Sequence, residues 1–185
     1  RISVSVPAYK EEELIAVTIR SMPEIVDHII VVVDCSPDLT SERARAVDDP
    51  RLEVIRLEEN QGVGGAVLAG HRRGLELGAE VMVVMAGDNQ MDPDYLPALL
   101  DPVVSGERGY AKANRFFTMD SFAGMPRHRV VGNVILSFMS KLASGYWNLF
   151  DPQNGYTAID SGVLRRLDLD RIATRYEFEN DLLIN

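Results

Sequence analysis

Ile29-Ile30-Val31-Val32-Val33-Asp34-Cys35-Ser36-Pro37-Asp38-Leu39-Thr40 is the stretch that decides the fold. Its first five residues are all β-branched and apolar, with no polar alternation, so they predict a strand buried on both faces. The run breaks in one step into a polar loop, and Thr40 or Ser41 is placed to cap a helix running through Val47. The same rhythm recurs on either side. Ile2 to Val6 is a short β-branched run ended by Pro7, and Glu11 to Met22 has helical periodicity. Leu52 to Leu57 alternates as a third strand, and Gly62 to Leu77 reads as a helix with a glycine-rich start, ended by Gly78. Val81 to Met85 is a fourth buried strand, and Asp92-Pro93 pairs an N-cap with a first-turn proline. Short strands alternating with helices predict an α/β three-layer sandwich around a mainly parallel central sheet. Ligands of such sheets bind beyond the carboxyl ends of the strands, so the polar residues after strands two and four are the first candidates.

After Gly109 the pattern loosens. Tyr110 to Ala113 reads as a strand and Val130 to Leu142 as an amphipathic helix; Tyr156 to Ile159 reads as a strand followed by an Asp160 or Ser161 cap. Neither an internal repeat nor a linker interrupts the 185 residues, which predict one domain over 1–185. The absence of an initiator Met, and an end inside the apolar run Asp181-Leu-Leu-Ile-Asn185, suggest a piece truncated at both ends.

Composition narrows the function. With 46% apolar and 25% charged residues, the chain is neither disordered nor a disulfide-stapled miniprotein. A net charge of -9 argues against a nucleic-acid partner, which demands many phosphate-neutralising cations. The single Cys35 excludes an internal disulfide and fits a reducing, cytoplasmic compartment. No apolar stretch is long enough to cross a bilayer. Charge is nonetheless uneven. Between Arg108 and Lys141 six cations face Asp120 alone, a net +5 within the total of -9, which leaves −14 for the rest. Such a stretch is either a solvated face or the place where a phosphorylated ligand or an anionic membrane surface meets the protein.

Three loops carry candidate chemistry. Gly62-Val-Gly64-Gly65 fails as a dinucleotide fingerprint, because Val67 stands where a third glycine is needed and no phosphate-loop lysine follows. Its glycines read as a close approach of the helix start to the sheet. At the end of strand two, Asp34 can accept from a base N–H or a ribose hydroxyl, whereas Asp38 and Thr40 are equally ordinary turn and cap residues. After strand four, Asp88 and Gln90 offer hard oxygen donors suited to Mg²⁺ or Mn²⁺ shared with a diphosphate, and Asp92 reads as a helix cap.

Taken in order, these segments resemble the family-2 glycosyltransferases of the GT-A fold, and within them the dolichyl- or polyprenyl-phosphate sugar synthases. Pro7-Ala-Tyr-Lys-Glu-Glu12 resembles the opening P-A-Y-N-E-E. Val33-Asp34-Cys35-Ser36 with Asp38 and Thr40 resembles the nucleoside loop D-D-G-S-x-D-x-T. Asn60-x-Gly62-x-Gly64-x-Ala66 resembles the N-x-G-x-x-x-A helix start. Ala86-Gly87-Asp88-Asn-Gln90-Met-Asp92-Pro93 resembles the metal and diphosphate loop D-x-D-G-Q-x-D-P, and Ala113-Asn-Arg115-Phe116 resembles G-x-R-F. Val33, Cys35 and Lys10 depart from the pattern, and Ala86 replaces the first Asp of D-x-D, leaving Asp88 and Gln90 as metal ligands.

The resemblance implies inverting transfer of a sugar from a UDP- or GDP-linked donor. It assigns the donor to Pro7, Tyr9, Glu11, Asp34, Ser36, Asp38, Asn60, Gly62, Gly87 and Asp88. A polyprenyl or dolichyl phosphate acceptor would be gathered by Arg115, Arg127 and Arg129 at the cytoplasmic face of a membrane. A sugar hydroxyl acceptor would instead need a base, for which Glu179 and Asp181 stand in place; that segment also reads as an ordinary helix start. Asp88, Arg115, Glu179 and Asp181 are therefore the expected catalytic set. A non-catalytic nucleotide-sugar-binding domain, its metal loop decayed at Ala86, is the remaining alternative.

Overall fold

The computed structural model describes residues 1–113, 155–175, 178 and 181–182. Arg115, Arg127, Arg129 and Glu179 lie outside the described residues, as does the expected helix from Val130 to Leu142.

Among the described residues, six strands form one sheet: β1 (Ile2–Ala8), β2 (His28–Val33), β3 (Leu52–Arg56), β4 (Val81–Val84), β5 (Tyr110–Lys112) and β6 (Thr157–Asp160). Their order is β3-β2-β1-β4-β6-β5. The first four are parallel, whereas β6 runs antiparallel to both β4 and β5. Among the described residues, helices α1 (Ile15–Arg20), α2 (Thr40–Arg45), α3 (Gly62–Glu76), α4 (Leu96–Val104) and α5 (Ser161–Leu164) flank the sheet. Alternation along the central strands sorts the side chains into two cores. Ile29, Val31 and Val33 join Val4, Val6, Val81 and Val83 against α1, α2 and α4. Ile30 and Val32 turn the other way, onto Ala66 of α3. β2 is thus buried on both faces, as its uninterrupted aliphatic run requires, and the sandwich has three layers.

Four local expectations are corrected. The cap of α2 is neither Thr40 nor Ser41: the Asp38 carboxylate, two residues upstream and charged, accepts from Thr40 N at 3.2 Å. The helix ends at Arg45 rather than Val47. α1 begins only at Ile15, because Glu11 to Leu14 form a turn whose Glu11 carbonyl accepts from Leu14 N and Ile15 N. β3 does not alternate; as an edge strand it is half-buried along Leu52 to Ile55. The caps at Asp92 and Asp160 are found as expected, each accepting a backbone N–H of the following turn.

α3 lies close against the sheet at Gly70, where a Cβ would meet Ser5 Oγ at 2.0 Å and Ser5 Cβ at 2.8 Å. Glycine there lets the helix axis approach β1. The cluster at the helix start has a different neighbour, described below.

Candidate nucleotide and diphosphate site

β1, β2 and β4 are parallel, so the loops after β2 and β4 leave the sheet at the same edge, on either side of β1. Both loops hang from the end of β1: Asp34 N donates to Ala8 O at 3.0 Å and Gly87 N donates to Pro7 O at 3.1 Å. The chain reverses its direction of sheet growth around β1, the position where ligands of open α/β sheets collect.

A cavity of about 370 Å³ opens there. Pro7, Tyr9, Glu11, Asp34, Asn60 and Gly62 line it, with Ala8, Val63, Ala66 and Arg175. Six of the expected donor residues therefore share one wall, although they come from three separate loops. Asp34 is 4% exposed, and both of its oxygens are engaged: Gln61 N donates to one at 2.7 Å and Gly62 N to the other at 2.8 Å. Its first role is thus to fasten the start of α3 to the end of β2, each such charge-assisted bond contributing about 1.5–3 kcal/mol. Asn60 Nδ2 closes the same corner by donating to Asp34 O at 3.2 Å.

Ser36 and Asp38 are not in the cavity wall; they shape it from behind. The Asp38 carboxylate accepts from Ser36 Oγ and Thr40 Oγ1, both at 2.6 Å. Those hydroxyls in turn accept from Lys10 N at 2.8 Å and Glu11 N at 2.9 Å. One carboxylate thereby orients two hydroxyls, and the hydroxyls hold the loop that presents Tyr9 and Glu11, with Lys10 at φ 60. Burial opposes the charge on Asp38, but the hydrogen bonds from Ser36 and Thr40 outweigh it and hold its carboxyl at about 2.

Gly87 and Asp88 also fall outside the cavity wall, beside it. Gly87 packs against the Ala8 end of β1, and its carbonyl accepts from Thr18 Oγ1 at 3.1 Å. Asp88 Oδ1 accepts from Gln90 N at 3.1 Å across a turn that puts Asn89 at φ 57. Its charge reaches the cavity: the Glu11 carboxyl is raised by burial, then by the nearby negative charges of Asp88 and Asp38. Among the described residues no group of three or more His, Cys, Asp or Glu side chains is arranged to hold a metal ion. Asp88 and Gln90 carry hard oxygen donors that would suit a cation drawing its other contacts from a ligand's own oxygens.

The far end of the chain supplies what the sequence reading missed. The turn from Arg171 to Arg175 crosses the start of α3, and Gly65 N donates to Thr174 O at 3.1 Å. A Cβ on Gly64 would stand 2.8 Å from Thr174 O and 2.7 Å from Phe178 Cβ, so the glycine cluster admits this turn rather than the sheet. Asp181 Oδ2 accepts from Ala173 N at 2.7 Å and braces the turn from outside. Arg175 thereby reaches the cavity. Its only local signal was a lone cation beside the acidic segment from Glu179 to Asp181.

Over residues 3–168 the chain matches the family model described as "Glycosyl transferase family 2". It is 33% identical to an undecaprenyl-phosphate mannosyltransferase of Micrococcus luteus, over 98% of this chain and 76% of that protein. It is 30% identical to a UDP-N-acetylglucosamine–dolichyl-phosphate N-acetylglucosaminyltransferase of Methanococcus voltae, over 99% of this chain and 78% of that protein. Among solved structures it is similar to glucosyl-3-phosphoglycerate synthase from Mycobacterium tuberculosis in complex with Mn²⁺, UDP and glucosyl-3-phosphoglycerate. That likeness has a TM-score of 0.73 and 25% identity, and it covers 98% of this chain and 63% of that one.

Proposed function

This chain belongs to glycosyl transferase family 2, and from that membership we propose that it moves a sugar from a UDP- or GDP-linked donor to a polyprenyl or dolichyl phosphate. The observation that carries the reading is the cavity at the carboxyl ends of β1 and β2, walled by Pro7, Tyr9, Glu11, Asp34, Asn60 and Gly62. Its position beside the Asp88 loop suits a nucleoside in the cavity with its diphosphate directed toward β4. The acceptor class is supported by the two relatives, whose names specify an undecaprenyl and a dolichyl phosphate.

In the reaction, an acceptor phosphate oxygen attacks the anomeric carbon from the side opposite the diphosphate. The bond to the diphosphate breaks with its electron pair, and the configuration inverts. A phosphate acceptor is already anionic and needs no general base, so the work of the chain is placement and charge neutralisation. Asp34, Asn60 and the loop braced by Asp38 hold the nucleoside. Arg115, Arg127 and Arg129 gather the acceptor phosphate, guanidinium groups being suited to two-pronged contact with its oxygens. Asp88 and Gln90 would hold a Mg²⁺ or Mn²⁺ ion, which when bound offsets charge on the departing diphosphate. The cytoplasmic membrane surface, as the place of reaction, belongs to the same proposal. Among the described residues no helix is long and apolar enough to cross a membrane. A saccharide acceptor would need Glu179 or Asp181 as base, and one Asp181 oxygen is already committed to Ala173 N.

The test is a donor screen with the full-length protein, Mn²⁺ and either polyprenyl phosphate or free saccharides as acceptors. The expected product is a lipid-linked sugar phosphate of inverted anomeric configuration, lost by roughly a hundredfold or more in Asp88→Ala. Transfer to saccharides alone would replace the lipid reading. Tight nucleotide binding with no turnover on any acceptor would leave a binding domain.

A further inference from the structure

Among the described residues, one cation stands in the wall of the cavity, and it comes from the end of the described chain. We propose that Arg175 binds the phosphate of the donor nearest the nucleoside, an inference that rests on the nucleotide-sugar reading above.

The first argument concerns charge. The cavity wall already carries the carboxylates of Glu11 and Asp34, and a nucleoside diphosphate adds further negative charge next to them. In many α/β proteins the start of a helix receives such a phosphate on its free N–H groups. Here several of those donors are already committed. Gln61 N and Gly62 N are bonded to Asp34, and Gly65 N is bonded to Thr174 O. The end of the helix that faces the cavity therefore offers a phosphate fewer N–H donors than usual, and a side-chain cation beside it supplies a further charge-assisted contact.

The second argument concerns availability. Arg51, Arg72 and Arg73 are each tied to a carboxylate, whereas Arg175 forms no ion pair with any described carboxylate. Its backbone is nevertheless fixed. Thr174 O is bonded to α3, Ala173 N is bonded to Asp181, and Arg175 O accepts from Phe178 N at 3.0 Å. The aliphatic stem lies against Gly62, where a Cβ would meet Arg175 Cγ at 3.3 Å. An exposed guanidinium on a fixed stem, at the lip of an acidic cavity, is a preorganised anion contact. Asp181 is then a positioning residue, acting on the donor through the turn it braces.

Calorimetry on the full-length protein tests this with UDP and GDP, and with the matching nucleoside of whichever is bound. Each titration is run with Mn²⁺ and with EDTA. Arg175→Gln and Arg175→Ala should weaken diphosphate binding about tenfold or more in both conditions, as loss of a charge-assisted contact predicts. Nucleoside binding should stay within about twofold. Arg175→Lys, which retains charge without the fork, should recover part of the loss. Gln and Lys both keep the stem against Gly62, so their difference reports charge rather than packing. An equal loss for the nucleoside would place Arg175 on the base and overturn the proposal. Unchanged diphosphate binding in Arg175→Gln would overturn it too, while leaving the function intact. Failure of the unaltered protein to bind either nucleotide would remove the nucleotide-sugar reading itself.

Discussion

At the residue scale, two side chains outside the cavity wall have distinct effects, one on the site and one on stability. Asp38 touches no part of the cavity, yet it orients Ser36 and Thr40, which hold the amides of Lys10 and Glu11. Asp38→Ala should free both hydroxyls, loosen the loop carrying Tyr9, and weaken nucleotide binding about tenfold. Asp38→Asn can still accept through its single carbonyl oxygen and should lose less. Titration of UDP or GDP against the three proteins checks that order. His71 is the opposite case, a fully buried imidazole with neither nitrogen hydrogen-bonded among the described residues. Burial lowers its pKa from 6.5 to about 4, so it folds as the neutral form. A depressed pKa means that the unfolded chain binds the proton first. Stability is therefore complete above about pH 6.5 and is lost as pH falls toward about 4, to a total on the order of 3 kcal/mol. Urea melts between pH 7 and 4 should show this slope, and His71→Leu should remove it whatever happens to the plateau.

At the element scale, the contact between α3 and β1 makes a sharper prediction. Gly70→Ala would drive a Cβ into Ser5, with its Oγ at 2.0 Å and its Cβ at 2.8 Å. Overpacking of that kind costs about 1–3 kcal/mol. Ser5 Oγ is buried without a partner, so Ser5→Ala alone should be close to neutral or stabilising. Combined with Gly70→Ala it should recover at least about 1 kcal/mol, a non-additivity that denaturant melts of the four proteins would measure. The same elements show what the sequence made legible. β2 could be read from five aliphatic residues because burial on both faces leaves a local mark. The placement of β6 between β4 and β5, antiparallel to each, could not, since nothing local in Thr157–Asp160 names its neighbours. Six residues of the cavity wall, Pro7, Tyr9, Glu11, Asp34, Asn60 and Gly62, were legible as ordered motifs. Arg175 was not, because only the bond from Gly65 N to Thr174 O brings it to the cavity. The glycine cluster was seen, but its partner was taken to be the sheet.

At the scale of the whole molecule, charge is distributed unevenly along the chain. The chain has a net charge of -9, yet the stretch from Arg108 to Lys141 carries +5 and the rest −14. An acidic body repels an anionic membrane, so approach to a lipid phosphate would have to be led by this basic stretch, in which Arg127 and Arg129 stand just before the apolar run beginning at Val130. The full-length protein should therefore bind vesicles containing anionic lipid more tightly than neutral ones. The preference should fade as salt rises past physiological strength, where the screening length falls below about 8 Å. Reversing Arg127 and Arg129 to Glu changes the stretch by four charges, from +5 to +1. At about 1 kcal/mol for each cation near an anionic surface, vesicle affinity should fall by tenfold or more. Calorimetric binding of UDP or GDP should not change, because the described wall of the cavity comes from other loops. Vesicle sedimentation and nucleotide titration of the same double variant separate the outcomes. A parallel loss of nucleotide binding would indicate damage to the fold. Unchanged vesicle binding together with unchanged turnover on polyprenyl phosphate would move the acceptor site elsewhere on the protein.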